Sequence, residues 1–176
     1  MPELITVVDE NDQVIGAKPR GTTTYNDIYQ VSALWLTNSE GNVLLAQRKW
    51  TKKNNPGKWG PAVAGTVDEG ESYEQNIYQE AEEEIGLTEV KFISGPKTFV
   101  VREGLRRYFC QWFTAQIDWP LSRFKIQESE VEQIVWMPLQ QLGSEIEKHP
   151  DNYVEGVINW EQLFGSRRST VNIPKS

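Results

Sequence analysis

The chain has 176 residues, 38% hydrophobic and 24% charged, a length that suits one domain built around one sizeable core. Its net charge of -7 argues against a broad nucleic-acid-binding surface, so a small anionic ligand would need a local basic patch and a metal. A single cysteine and a single histidine exclude an intrachain disulfide, a cysteine-based zinc site and paired-histidine chemistry, which leaves carboxylates as metal ligands.

Residues 4–8 and 14–16 read as short strands around a turn at 9–12, with Arg20 in the polar stretch that follows. A longer strand is expected at 28–36, a turn with Gly41 at 38–42 and a returning strand at 43–48. The main basic loop comes next, KWTKKNNPGK at 49–58. Arg48, Lys49, Lys52, Lys53 and Lys58 gather there, just ahead of a strongly acidic stretch. Any one of these lysines reads equally well as a solvated surface charge, but together they suit a phosphate. Trp50 and Trp59 suit stacking on a base or packing in a core, and core packing is the expectation for Trp59.

Residues 65–87, GTVDEGESYEQNIYQEAEEEIGL, form the acidic stretch. Ser72 is a good N-cap and Gln75 stands where its side chain can bond back to the cap, so the helix should start at Tyr73. Tyr73, Ile77, Ala81 and Ile85 make an apolar stripe, and Gly86 can take the left-handed conformation that ends the helix near Ile85. At about 100° per residue, Glu80, Glu83 and Glu84 share one arc while Glu82 points away. Glu84 lies beside the Ile77 stripe and should be partly buried. Like charges at this spacing cost roughly 0.2–0.5 kcal/mol per pair even when exposed, and the negative end of the helix dipole adds to that. A solvated acidic face is one reading. The glycine loop favours another, because Gly65 lets backbone carbonyls and a polyphosphate come close to a hard cation such as Mg2+ held by the carboxylates.

This stretch resembles the Nudix box, G-x5-E-x7-R-E-U-x-E-E-x-G-U with U aliphatic. Gly65, Glu71, Glu80, Glu83, Glu84, Gly86 and Leu87 match, and Ala81 is a small U. Gln79 replaces the arginine of the pattern; it can hydrogen-bond Glu71, but without the charge assistance that makes such bonds about twice as strong. The resemblance implies an α/β fold, the Nudix α/β/α sandwich with a mixed sheet, over residues 1–165, followed by a tail at 166–176. It also implies that Glu80, Glu83 and Glu84, with a backbone carbonyl near Ala64 or Gly65, hold Mg2+, Mn2+ being the alternative. The reaction implied is attack of water on a phosphorus of a nucleoside diphosphate derivative, with Glu71, Glu83 or a downstream glutamate taking the proton.

A second resemblance is to type I isopentenyl-diphosphate isomerase, carried by DENDQVIG, by the spacing from Arg48 through Lys52 and Lys53 to PGKW, and by GES. That enzyme needs a cysteine and a metal-binding histidine around the first box glycine, where this chain has Ala64 and Thr66. Neither side chain can replace them, so isomerisation is disfavoured. The chain groups instead with hydrolases similar to the isomerase, in which Arg48, Lys52 and Lys53 contact the diphosphate, with Lys58 in the same loop. A nucleotide-binding module that has lost turnover is the third reading, motivated by Gln79.

Further strands are expected at 89–93, 98–102 and 108–117, punctuated by Gly95, Pro96 and Gly104. Tyr108, Phe109, Trp112 and Phe113 read as core aromatics, and Cys110 as a buried small hydrophobe. Arg106 and Arg107 are further candidates for the phosphate patch. Glu128 and Glu130, in QESEVE, are candidates for the additional glutamate that many Nudix proteins place in this region. A strand at 133–137 leads through Pro138 into a helix ending at Ile146, and 151–164 reads as a last amphipathic helix with Val154, Val157, Ile158 and Phe164 inward. No stretch is long enough to span a membrane and no secretory pattern opens the chain, so a cytoplasmic protein is expected. The expected partner is a small anionic diphosphate, with no nucleic-acid polymer and no membrane; a homodimer is allowed by the sequence without being required by it.

Overall fold

Ten consecutive residues of nearly unbroken burial, Ile28–Thr37, make the strand on which the other layers are built. In the computed structural model, which describes residues 1–165, this is β3, preceded by the hairpin β1 (Leu4–Val8) and β2 (Val14–Pro19). After it come β4 (Asn42–Arg48), β5 (Trp59–Pro61), β6 (Val63–Thr66) and the helix α1 (Tyr73–Ile85). The hairpin β7 (Ile93–Arg102) and β8 (Arg106–Gln116) follows, then β9 (Val131–Pro138), α2 (Leu139–Lys148) and the short helices α3 (Glu155–Ile158) and α4 (Trp160–Phe164). The tail expected at 166–176 lies outside the described residues.

The strands form one mixed sheet. β3 runs parallel to β8 over ten pairs and antiparallel to β1, β4 and β6. A strand buried on both faces reads as a continuous apolar run, and β3 separates two cores accordingly. On one face Leu34 and Leu36 pack with Ile77, Ala81 and Ile85 of α1; on the other Ala33 and Trp35 pack with Leu142, Val157 and Trp160 from the C-terminal helices. The result is the expected α/β/α layering. Among the described residues no helix is long and apolar enough to cross a membrane.

Several local expectations change. The strand expected at 89–93 is a loop as far as Phe92, because Glu89 takes a left-handed conformation (φ 62°) that breaks the extended run; Phe92 still packs into the core. β7 begins at Ile93, and Gly95-Pro96 makes a bulge in its pairing with β8 rather than an end to it. β5 and β6 are additions to the expected elements, three and four residues long and formed through their pairing with β4 and β3. The expected helix at 151–164 is broken: the Val154 N–H donates to the Trp59 carbonyl at 2.9 Å, which ties this segment to β5 and starts the helical turns only afterwards. Ile158, expected inward, is 36% exposed. Phe109 is only partly buried and stacks on Phe99 with ring centroids 4.7 Å apart.

Ile77 is fully buried at the centre of the α1 face. Ile77→Ala is therefore expected to destabilise the fold by about 2–5 kcal/mol in urea unfolding, the range for deleting a large core side chain. A loss below 1 kcal/mol would contradict the assigned packing.

Candidate active site

The capping box places the acidic helix as the sequence predicts. Ser72 Oγ accepts from the Gln75 N–H at 3.1 Å, and Gln75 Oε1 accepts from the Ser72 N–H at 2.9 Å. Gly86 ends the helix with φ 66°. With both ends fixed, Glu80, Glu83 and Glu84 turn into one cleft, about 830 Å3 in volume, with Ala64, Gly65 and Thr66 of β6 beside them. The requirement for glycine at 65 is one of close approach: a Cβ there would lie 2.2 Å from Glu80 Oε1. Arg48, Lys52 and Lys53, from the end of β4 and the loop after it, line the same cleft.

Glu130 also faces the cleft. The Gln127 N–H donates to the Glu84 carbonyl at 2.8 Å and the Lys49 N–H to the Glu130 carbonyl at 3.0 Å, so this segment is pinned to both the helix and the basic loop. Its carboxylate forms an ion pair with Lys52. Glu128 is exposed and stands outside the lining, as do Lys58 and Glu71. Arg107 is taken up elsewhere, donating to the backbone carbonyls of Tyr25 and Asn26 at 2.9 and 2.8 Å.

The loop glutamate is braced differently from expectation. Gln79 Nε2 donates to Glu83 Oε1 at 3.0 Å, and no bond joins Gln79 to Glu71. Glu71 is held instead by Asn76, whose buried amide donates to Glu71 Oε2 at 3.3 Å and to the Thr66 carbonyl at 3.2 Å while accepting from Ser32 Oγ. One side chain thus joins the loop, β6, β3 and α1. Arg20, Tyr29, Tyr108 and Arg106 line the cleft as well. Arg20 pairs with Asp68 at 2.7 Å and Glu3 at 2.8 Å, contacts set by strand pairing across 48 and 17 residues that local pattern does not encode.

The cleft is short of cation beside its carboxylates. Burial, then the neighbouring Glu80 and Glu130, push the Glu84 carboxyl up to about 8, against the pull of Arg48 and of the Ala64 N–H that it accepts from. Burial and then Glu83 push Glu80 up to about 7, partly offset by Arg20. An all-oxygen donor set of this kind fits a hard divalent ion. Among the described residues no three acidic, histidine or cysteine side chains already converge on one point.

Asn76 is 2% exposed, and Asn76→Leu leaves the Thr66 carbonyl, the Ser32 hydroxyl and the Glu71 carboxylate without their partner. The expected loss in urea unfolding is about 1–3 kcal/mol. A pH dependence follows from Glu80 and Glu84. Both hold protons in the fold above their ordinary value of 4.5, so the native state binds more protons than the unfolded chain up to their folded values of about 7 and about 8. Stability of the metal-free protein should then fall as pH rises through that window. Thermal unfolding at about pH 5 and about pH 8 measures the slope, and Glu84→Gln should flatten it.

The sequence and the fold agree with known proteins. The family model described as NUDIX domain matches residues 28–156. An uncharacterised Nudix hydrolase of Pseudomonas aeruginosa is 32% identical over 130 residues, 73% of this chain and 75% of the relative. An isopentenyl-diphosphate Delta-isomerase of an Enterobacter species is 27% identical over 155 residues, 84% of this chain and 83% of the relative. The crystal structure of DR0079 from Deinococcus radiodurans superposes with a TM-score of 0.78 at 18% identity, covering 92% of this chain and 99% of that one. The chain belongs to the Nudix hydrolase family.

Proposed function

We propose that the protein is a cytoplasmic hydrolase that depends on Mg2+ or Mn2+ and cleaves the diphosphate linkage of a nucleoside diphosphate derivative. The observation that carries this reading is one cleft with Glu80, Glu83 and Glu84 presented from α1 and Arg48, Lys52 and Lys53 presented from the basic loop. Glu80, Glu84 and Glu83 would hold the ion, with the backbone at Ala64 and Gly65 beside them. When bound, the ion supplies charge neutralisation at the diphosphate and makes water more acidic. Arg48, Lys52 and Lys53 bind and orient the phosphoryl oxygens. Glu83 takes the proton of the attacking water: Gln79 orients one of its oxygens, whereas Glu130 is engaged by Lys52 and Glu71 by Asn76, outside the lining.

The geometry favours hydrolysis over isomerisation. Ala64 and Thr66 flank Gly65 in the cleft, and neither can exchange a proton with carbon or replace an imidazole ligand. Cys110 is buried with its thiol pushed up to about 12 by burial, and the exposed His149 stands outside the lining.

The test is release of phosphate or nucleotide from a panel of nucleoside diphosphate derivatives, with and without Mg2+. Hydrolysis is expected with the metal only, and Glu83→Gln should lower kcat by roughly 10²–10⁴-fold, the range for loss of a general base. A larger loss in Glu130→Gln would move the proton acceptor to Glu130. Tight nucleotide binding with no turnover would make this a binding module, and product from isopentenyl diphosphate would establish the isomerase.

A further inference from the structure

Arg106 opens β8 beside the turn of the β7–β8 hairpin and lines both the main cleft and an apolar pit of about 90 Å3 that adjoins it. The other arginines of this region have carboxylate neighbours. Arg48 feels Glu84 and Glu130, Arg20 pairs with Asp68 and Glu3, and Arg102 pairs with Glu155 at 3.1 Å. Arg106 makes no ion pair among the described residues. Its guanidinium lies close enough to the Tyr29 hydroxyl to act on it, and its Nε–H is enclosed without an acceptor.

Such an arrangement is costly as it stands. A guanidinium that lines the cleft with no carboxylate beside it leaves its charge open to an anion, and an enclosed donor without an acceptor is destabilising. Arg48 and Arg106 also repel each other. A bound oxyanion would supply the missing counter-charge to the exposed end of the guanidinium and offset the repulsion from Arg48. The surroundings favour an organic ligand over a free ion: Tyr29 and Tyr108 stack with ring centroids 5.4 Å apart and both line the cleft, and the pit behind Arg106 is walled by Val31, Cys110 and Trp112.

We propose that Arg106 anchors a second oxyanion of the substrate, a phosphate monoester or a carboxylate distinct from the scissile diphosphate, with the adjoining carbon atoms resting on Tyr29 and Tyr108 and against the pit. The substrates are then diphosphate derivatives that carry another anionic group, and Arg106 selects them over plain nucleoside diphosphates. The chemistry matches the residue, because a guanidinium offers a fork of parallel N–H donors to phosphate or carboxylate while an ammonium offers a point charge. This specificity rests on the hydrolase reading, but the anion site itself does not.

Two arms test it on the full chain. In the first, inorganic phosphate and acetate are titrated calorimetrically into metal-free wild type, Arg106→Gln and Arg106→Lys, with thermal unfolding confirming that each is folded. Wild type should bind one of the two anions, Arg106→Gln should weaken that binding by about tenfold or more, and Arg106→Lys should fall between. The anion bound tells phosphate from carboxylate. No binding by wild type, or equal binding by a folded Arg106→Gln, overturns the proposal; if Arg106→Gln does not fold, unchanged affinity in Arg106→Lys overturns it. In the second arm, kcat/KM is compared for diphosphate pairs differing only by an added phosphate or carboxylate. The selectivity ratio should drop about tenfold in Arg106→Gln, mainly through KM, and a ratio that does not move overturns the specificity role. Absence of turnover on every substrate would sink the hydrolase reading alone, with the calorimetric arm still deciding the anion site.

Discussion

The packing of α1 against β6 is the constraint on which the cleft depends, and at its centre it is polar. Asn76, almost fully buried, joins the Thr66 carbonyl, the Ser32 hydroxyl and the Glu71 carboxylate. An apolar side chain of similar size would pack there, but it would leave the loop, the strand and the helix without a fixed register. Four residues further along the same helix, Glu80 lies against Gly65, where a Cβ would stand 2.2 Å from its Oε1. The two contacts act together: Asn76 sets where the helix sits along β6, and Gly65 makes room for the carboxylate that this position brings in.

The electrostatics follow from that register. Half-burying Glu84 and Glu80 on one helix face costs solvation, and Glu80 makes Glu84 harder to ionise as Glu83 does Glu80. Basic residues are present in number, yet they are largely committed, Lys52 to Glu130, Lys49 to Glu132 at 3.1 Å and Arg20 to Asp68 and Glu3. On the proposed reading the carboxylates are left to a metal, and Lys52 would reach a phosphate by exchanging Glu130 for it, whereas Arg48 and Lys53 make no ion pair among the described residues. Such exchange favours ligands with enough charge to compete, which a diphosphate has and a neutral metabolite lacks. Screening by salt should matter more at Lys52 and Lys53, near the rim, than at the more enclosed Arg48.

What could be read from the sequence was local. The arc of Glu80, Glu83 and Glu84 follows from helical periodicity between a capping box and a left-handed glycine, and these signals act within a few residues. The same holds for β3 and β4, whose apolar runs needed no partner to be recognised. β5 and β6 are too short to carry a pattern of their own, and only the pairing with β4 and β3 makes them strands. The broken C-terminal helix escaped for a similar reason, since its periodicity is real and only the bond from Val154 to Trp59 overrides it. Tyr108 and Arg106 read in the sequence as a core aromatic and a candidate for the phosphate patch, because their place beside Tyr29 depends on the parallel pairing of β8 with β3, across 79 residues.

Gln79 illustrates how a single departure from a pattern redistributes roles. An arginine there would bring a positive charge beside the acidic arc and a charged brace for the loop glutamate. The neutral amide brings neither. It turns along its own helix to Glu83, four residues on, a spacing at which side chains meet naturally. The loop glutamate does not fall loose as a result, because Asn76 holds it from the same helix face that anchors β6. Loop order and charge balance, which one arginine would serve together, are here separated: Asn76 supplies the order, and on the proposed reading the charge is left for Arg20, Arg48 and a bound ion to balance. A protein arranged this way should keep a well-ordered glycine loop without metal while relying on metal to ionise Glu80 and Glu84, so that metal acts on charge more than on shape.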